Sequence, residues 1–251
     1  MSGHSHWAGI KHKKALVDAK RGKLWSKLAK AIIVAAKMGG GDPDANLRLR
    51  YAIDDAKAVS LPKENIQRAI KRGTGELDGG NLEEVIYEGY GAGGVAILCE
   101  VLTDNRNRTA PEIRKVFELS NGKLGSTNCV AWMFESKGLF LIPCENTDEE
   151  KLMELALEAG ADDVKRDAGK FEITCDPAVY QNVVKVLAEA GITPEVSQIT
   201  RISKTTVDIT DPEAAQKVLK LMERLDDHDD VQNVSSNFYI PDDVMAKIGE
   251  V

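Results

Sequence analysis

The chain has 251 residues, 43% of them hydrophobic and 29% charged, and a formal net charge of −7. That length allows two or three domains around a sizeable core, and no apolar run approaches the ~20 residues of a membrane span. No apolar segment follows the basic N-terminus, so no signal peptide is expected. Cys99, Cys129, Cys144 and Cys175 show no CxxC spacing, which fits reduced thiols in a cytoplasmic protein.

Charge is not spread evenly. Up to Met38 the cations are Lys11, Lys13, Lys14, Lys20, Arg21, Lys23, Lys27, Lys30 and Lys37, against the single acid Asp18. Residues 1–75 carry a balance of about +10 and the rest about −17. One end is suited to polyanions, and the other repels them. Residues 1–20 show no apolar period and read as a flexible basic arm.

A helix is expected from about Lys23, with Leu24, Leu28, Ala31, Ile32 and Ala35 on one stripe. Its lysines fall within about 100° of arc on the other side. Gly39, Gly40 and Gly41 end it. Asp42 and Pro43 are expected to open a second helix, as its N-cap and first helical position, with Ala45, Leu49, Ala52, Ile53 and Ala56 as its apolar stripe. Pro62 opens a third helix, KENIQRAIKR, which stops at Gly73.

Beyond residue 81 strand and helix alternate. VAILCEVLT reads as a strand, APEIRKVFELS as a helix and CVAWMF as a strand. Then follow strand GLFLIP, a helix over 148–159, strands over 163–165 and 170–175, a helix over 177–190 and a strand over 195–201. TTVDIT, a helix over 211–225 and VQNVSSNFYI complete the chain. The expected class is α+β. A basic arm and small helical domain occupy 1–80. A split ferredoxin-like α/β domain takes 81–137 and 203–251, with a second ferredoxin-like domain, 138–202, inserted in it.

The residues expected to touch nucleic acid are Lys11, Lys13, Lys14, Lys20, Arg21, Lys23, Lys27 and Lys30, which can meet phosphates. Trp7, and with it Trp25, has the chemistry to stack on exposed bases. The rival reading makes the helix lysines a solvated face and Trp25 core. Arg106 and Arg108 stand at a helix start, where the dipole favours an anion; a bound phosphate would offset the two cations.

Other patterns carry less. Gly89 to Gly94 matches GxGxxG but leads into a strand, so a turn is favoured over a dinucleotide site. Residues 226–230, DDHDD, read as a solvated acidic loop rather than a divalent-cation site. His4, His6 and His12 lack companion ligands for a metal. Walker A, HExxH, nucleophile-elbow and zinc-deaminase patterns are absent. No enzyme activity, metal or cofactor is expected.

The runs GHSHWAGIKHKK, DAKRGKLWSKLAKAI, GGGDPDANLRLRYAIDDAK, LPKENIQRAIKRGTG, YEGYGAGGVAILCEVLTDNRNRT and DDVQNVSSNF resemble the YebC/PmpR family over nearly the whole chain. His6, Gly9 and Trp25 depart from its usual Lys, Asn and Phe. The resemblance implies a helical N-terminal domain and two α/β domains. Bacterial members are described as probable transcriptional regulators that bind promoter DNA, and related members, including a mitochondrial translational activator, act on the ribosome. The expectation is a non-enzymatic DNA-binding regulator in the cytoplasm. The alternative is a ribosome-associated translation factor that binds rRNA. In either case the acidic α/β body is free for a protein partner.

Overall fold

The computed structural model describes residues 7–10, 21–78, 81–145, 147–167 and 169–248, and the backbone alone of Arg21 and Asp167. In chain order the larger elements are α1 (Arg21–Gly39), α2 (Leu47–Ala58), α3 (Lys63–Gly73), β1 (Glu83–Tyr90), β2 (Ala96–Thr103), α4 (Arg106–Leu119), β3 (Lys123–Leu124) and β4 (Phe134–Pro143). They continue with α5 (Glu149–Glu158), β5 (Ala161–Asp167), β6 (Lys170–Cys175), α6 (Tyr180–Glu189), β7 (Val196–Ser203) and β8 (Val207–Asp208). The last are α7 (Pro212–Asp226), β9 (Val231–Ser236), β10 (Phe238–Tyr239) and α8 (Asp242–Ile248). The architecture is mixed helix and sheet, with the helices α1–α3 first.

Helices α1 to α3 bury Ile32, Ala35, Leu49, Ala52, Ile53, Ala56, Ile66, Ala69 and Ile70 against one another. Leu24, expected on this stripe, is instead 42% exposed. Helix α2 starts later than expected. Asp42 closes a turn by accepting from the Asp44 N–H at 2.9 Å, and the N-cap is the buried Asn46, whose side chain accepts from the Leu49 N–H at 3.1 Å. The Asn46 amide also donates to the Ala35 and Gly40 carbonyls, each at 2.8 Å. Only a side chain that both donates and accepts can close α1 and open α2, which an aspartate cannot do. Gly73 ends α3 where a Cβ would collide with the Ile33 carbonyl and lie 2.6 Å from the Ala36 Cβ, so α3 and α1 approach closely there.

The first sheet runs β3-β1-β2-β9, all antiparallel. Strand β9 joins β2 across more than a hundred residues of chain. Helices α4 and α7 cover one face, packing Ile113, Phe117, Val218 and Met222 on Ile97, Cys99, Val101 and Val234. On the other face Ala96 and Leu98 meet Val130 and Phe134. The glycine-rich run is the turn between β1 and β2, with Gly93 at φ 69° and Gly94 at φ 76°. It opens no helix that could receive a pyrophosphate.

Three of these elements were not anticipated: β1, whose sequence EEVIYEGY is acidic and holds a glycine, the two-residue β3 and the short α8. One expected strand is absent. CVAWMF forms a turn with a 3-10 segment over Ala131–Met133. The cause is Glu88, buried at 3% exposure. Its carboxylate accepts from the backbone N–H groups of Asn128 at 2.6 Å, Val130 at 2.8 Å and Ala131 at 2.7 Å, so those donors are spent outside any ladder.

The second sheet runs β5-β6-β4-β7, again antiparallel. Helices α5 and α6 cover one face, burying Leu152, Ala156, Val183 and Leu187 on Phe140, Ile142, Phe171 and Ile173. Its other face carries Leu139, Leu141 and Ile202, which pack against Ala8.

That last contact corrects the expected arm. Residues 7–10 are helical. Trp7 is only 6% exposed within the first sheet's core, and Ala8, 5% exposed, reaches the second sheet. This short segment is thus held at both sheets. The remainder of 1–20 lies outside the described residues.

Candidate nucleic-acid interface

Lys11, Lys13, Lys14 and Lys20 lie outside the described residues, as does the Arg21 side chain. The other basic positions can be placed. On α1 the lysines face the end of α7 and the acidic run after it. Lys27 Nζ donates to the Asp226 carbonyl. Lys23 Nζ donates to the Asp227 carbonyl at 3.1 Å and lies 3.6 Å from the Asp229 carboxylate. Lys30 Nζ donates to the Asp229 carbonyl at 3.1 Å and to Asp230 Oδ1 at 2.7 Å. The last carbonyls of a helix carry its negative dipole end, so three ammonium groups are drawn there before any external phosphate is considered.

Asp230 is the centre of this contact, with its side chain 5% exposed. Its Oδ2 accepts from Arg108 at 2.7 Å and from the Thr109 hydroxyl at 2.8 Å. Burial by itself would push this carboxyl up; the hydrogen bonds from Lys30, Arg108 and Thr109 outweigh it and hold Asp230 well below the usual carboxylate range. His228 Nδ1 accepts from the Asp230 N–H at 3.2 Å, which leaves Nε2 to donate to Glu112 at 3.1 Å. The DDHDD run is therefore not a merely solvated loop, because its last residue is a buried junction between α1 and α4. Among the described residues no group of three or more His, Cys, Asp or Glu is placed to hold a metal ion.

The two arginines at the start of α4 find their offset within the chain. Arg108 also lies 3.1 Å from Asp104, and Arg106 lies 3.6 Å from Glu83. Asn105 caps the helix by accepting from the Arg108 N–H at 3.1 Å. Carboxylates thus supply what a bound phosphate was expected to supply, and Arg108 is a structural cation. The expected stacking role of Trp7 is corrected by its burial. Trp25 is half-buried on the helical core and donates from Nε1 to the Val59 carbonyl at 3.2 Å.

A cluster of unengaged positive charge among the described residues sits on α3. Helix α3 carries Lys63, Arg68, Lys71 and Arg72, all exposed, around a buried edge of Ile66, Ala69 and Ile70. None of the four is within ion-pair distance of a described carboxylate, whereas Arg48 and Arg50 on α2 pair with Glu84 and Asp44. These four cations were not singled out in the sequence. The signal was there: four cations and one acid in an 11-residue helix.

The two buried cysteines offer little nucleophilic chemistry. Burial pushes the Cys99 thiol far up and raises Cys175 to about 11, so neither ionises near neutral pH.

Residues 5–76 match the family model described as the TACO1/YebC protein N-terminal domain, and residues 82–238 match that for the TACO1/YebC second and third domain. A probable transcriptional regulatory protein of Rhodopirellula baltica is 59% identical over 248 residues, covering 98% of this chain and 100% of the relative. One of Geobacter sulfurreducens is 54% identical, covering 99% and 100%. The crystal structure of a conserved hypothetical protein from Aquifex aeolicus superposes with a TM-score of 0.84 at 51% identity, covering 94% of this chain and 98% of that one.

Proposed function

The chain belongs to the TACO1/YebC family, and we propose that it is a non-enzymatic, cytoplasmic regulator of transcription that binds duplex DNA through its helical N-terminal part. The observation that carries this reading is the exposed face of α3, where Lys63, Arg68, Lys71 and Arg72 have no ion-pair partner among the described carboxylates. Such cations gain free energy from phosphates by releasing condensed counterions. The basic residues before α1 add to the same end of the chain. The acidic remainder stays off the polymer and is available to a protein partner. The relatives named as transcriptional regulators support the regulatory role.

In this reading the second sheet with α5 and α6 is a ferredoxin-like unit, set into a like unit completed by β9. These two units are the rigid support that holds α1 in place through the acidic run, leaving α3 outward.

The test is a salt titration of the full chain on duplex DNA. Log affinity falls by about 0.9 per log unit of salt for each phosphate contacted. Replacing Lys63, Arg68, Lys71 and Arg72 together by Gln lowers that slope by about 1 per lost contact. A flat salt dependence, or an unchanged slope in the variant, overturns the α3 interface. Binding confined to purified ribosomes would replace the DNA target with rRNA.

A further inference from the structure

The chain has three Trp, five Tyr and five Phe, and every one lies among the described residues. Only two are exposed: Trp132 at 65% and Tyr90 at 37%. Both donate to the same acceptor. The Trp132 indole N–H reaches the Cys129 carbonyl at 3.2 Å, and the Tyr90 hydroxyl reaches it at 3.1 Å. Two exposed aromatic rings are thereby tied to one point by their polar edges.

Tyr90 ends strand β1, and the loop that carries Trp132 is pinned from below. Glu88 lies beneath it and accepts from three of its backbone N–H groups. The Gly125 N–H donates to the Glu88 carbonyl at 2.7 Å. Preorganised aromatic side chains lose little entropy when they meet a partner.

The charge around the rings points to the partner. The stretch from residue 119 to 134 contains no Asp or Glu, in a chain with 40 of them. Its one charged residue is Lys123, which is exposed and lies directly opposite Tyr90 in the β1–β3 ladder. Directly opposed residues share a face of a sheet. An ammonium beside an aromatic ring, with no carboxylate on the loop to repel a phosphate, is the combination that binds single-stranded nucleic acid.

We propose that Trp132 and Tyr90 form a stacking site for unpaired nucleobases, with Lys123 meeting the adjoining phosphate. This site is separate from the α3 face. It extends the nucleic-acid reading given above, and it adds to a duplex-binding surface the ability to hold a flipped or single-stranded segment. Base–aromatic stacking tolerates any base, because every base has a π-face, so the site senses strandedness rather than sequence.

The experiment compares full-length wild type, Trp132→Ala and Trp132→Phe on a labelled 12-nucleotide single strand and on the duplex of the same sequence. Thermal melts confirm that the variants fold. The expected result is that Trp132→Ala weakens single-strand binding about tenfold and leaves duplex binding and the salt slope unchanged. Trp132→Phe keeps most of the affinity, and the single strand quenches wild-type tryptophan fluorescence. Equal single-strand affinity in wild type and Trp132→Ala overturns the proposal and makes the rings an anchor for a protein instead. Duplex binding without single-strand binding also overturns it while leaving the α3 reading intact. Failure of the wild type to bind either probe overturns both.

Discussion

Lys30 on α1 and Asp230 before β9 meet at 2.7 Å, two hundred positions apart in the chain, with the carboxylate almost wholly buried. Asp230 also receives Arg108 and Thr109, so one side chain joins the helical part to the first sheet. Asp230→Asn removes the charge while nearly keeping the shape, and leaves two cations facing a neutral amide. Breaking a buried pair from one side costs about 3–5 kcal/mol. Because Lys30 and Arg108 keep some access to water, a loss of about 2–3 kcal/mol in urea unfolding is expected. A variant as stable as wild type would show that the junction contributes nothing net.

The same carboxylate sets a pH dependence. Its folded value lies below the ordinary aspartate range, so at low pH the unfolded chain binds a proton that the folded chain does not. The stabilisation from Asp230 is complete above the unfolded value of about 4 and declines as pH falls below it. The stability difference between wild type and Asp230→Asn is therefore constant from about pH 5 to about pH 7, above the unfolded value, and shrinks toward about pH 3. A difference that grows on acidification contradicts this assignment.

Glu88 organises the Trp132 loop through three backbone N–H groups. In Glu88→Gln one carboxylate oxygen becomes an NH2 group, which opposes at least one of those donors. A buried donor left unsatisfied costs about 1–3 kcal/mol. A lowered melting temperature with faster amide exchange at Val130 and Ala131 is expected. Unchanged exchange there would mean that the loop is held by other contacts.

Trp7 distinguishes a core side chain from a base-stacking one. Trp7→Ala opens a cavity where the ring now packs, and costs about 3–5 kcal/mol. Affinity for nucleic acid per folded molecule stays at the wild-type level. A variant of normal stability and reduced affinity would return Trp7 to the binding surface.

Much of this molecule was legible without coordinates. The three N-terminal helices, strands such as Lys170–Cys175 and helix α7 follow from apolar period, glycine and proline positions and caps, all of which act over a few residues. The opposition between a basic end and an acidic remainder is a matter of counting. The family was recognisable from six runs in order, and the family models match over 5–76 and 82–238.

Other features were decided by the fold. Composition marks Trp7 as aromatic and amphipathic, which suits a core as well as a base stack; only its place within the first sheet's core separates the two. Lys23, Lys27 and Lys30 form a lysine stripe in sequence, and only the position of α7 supplies the carbonyls and carboxylates that occupy them. Asn46 outranks Asp42 as a cap because the carbonyls it serves are brought beside it by the turn between two helices. The residues of CVAWMF have strand propensity, but a glutamate forty positions earlier takes their N–H groups. Local sequence sets which conformations are cheap, while the partners that spend each donor and charge come from distant segments, and these exist only once the chain has folded.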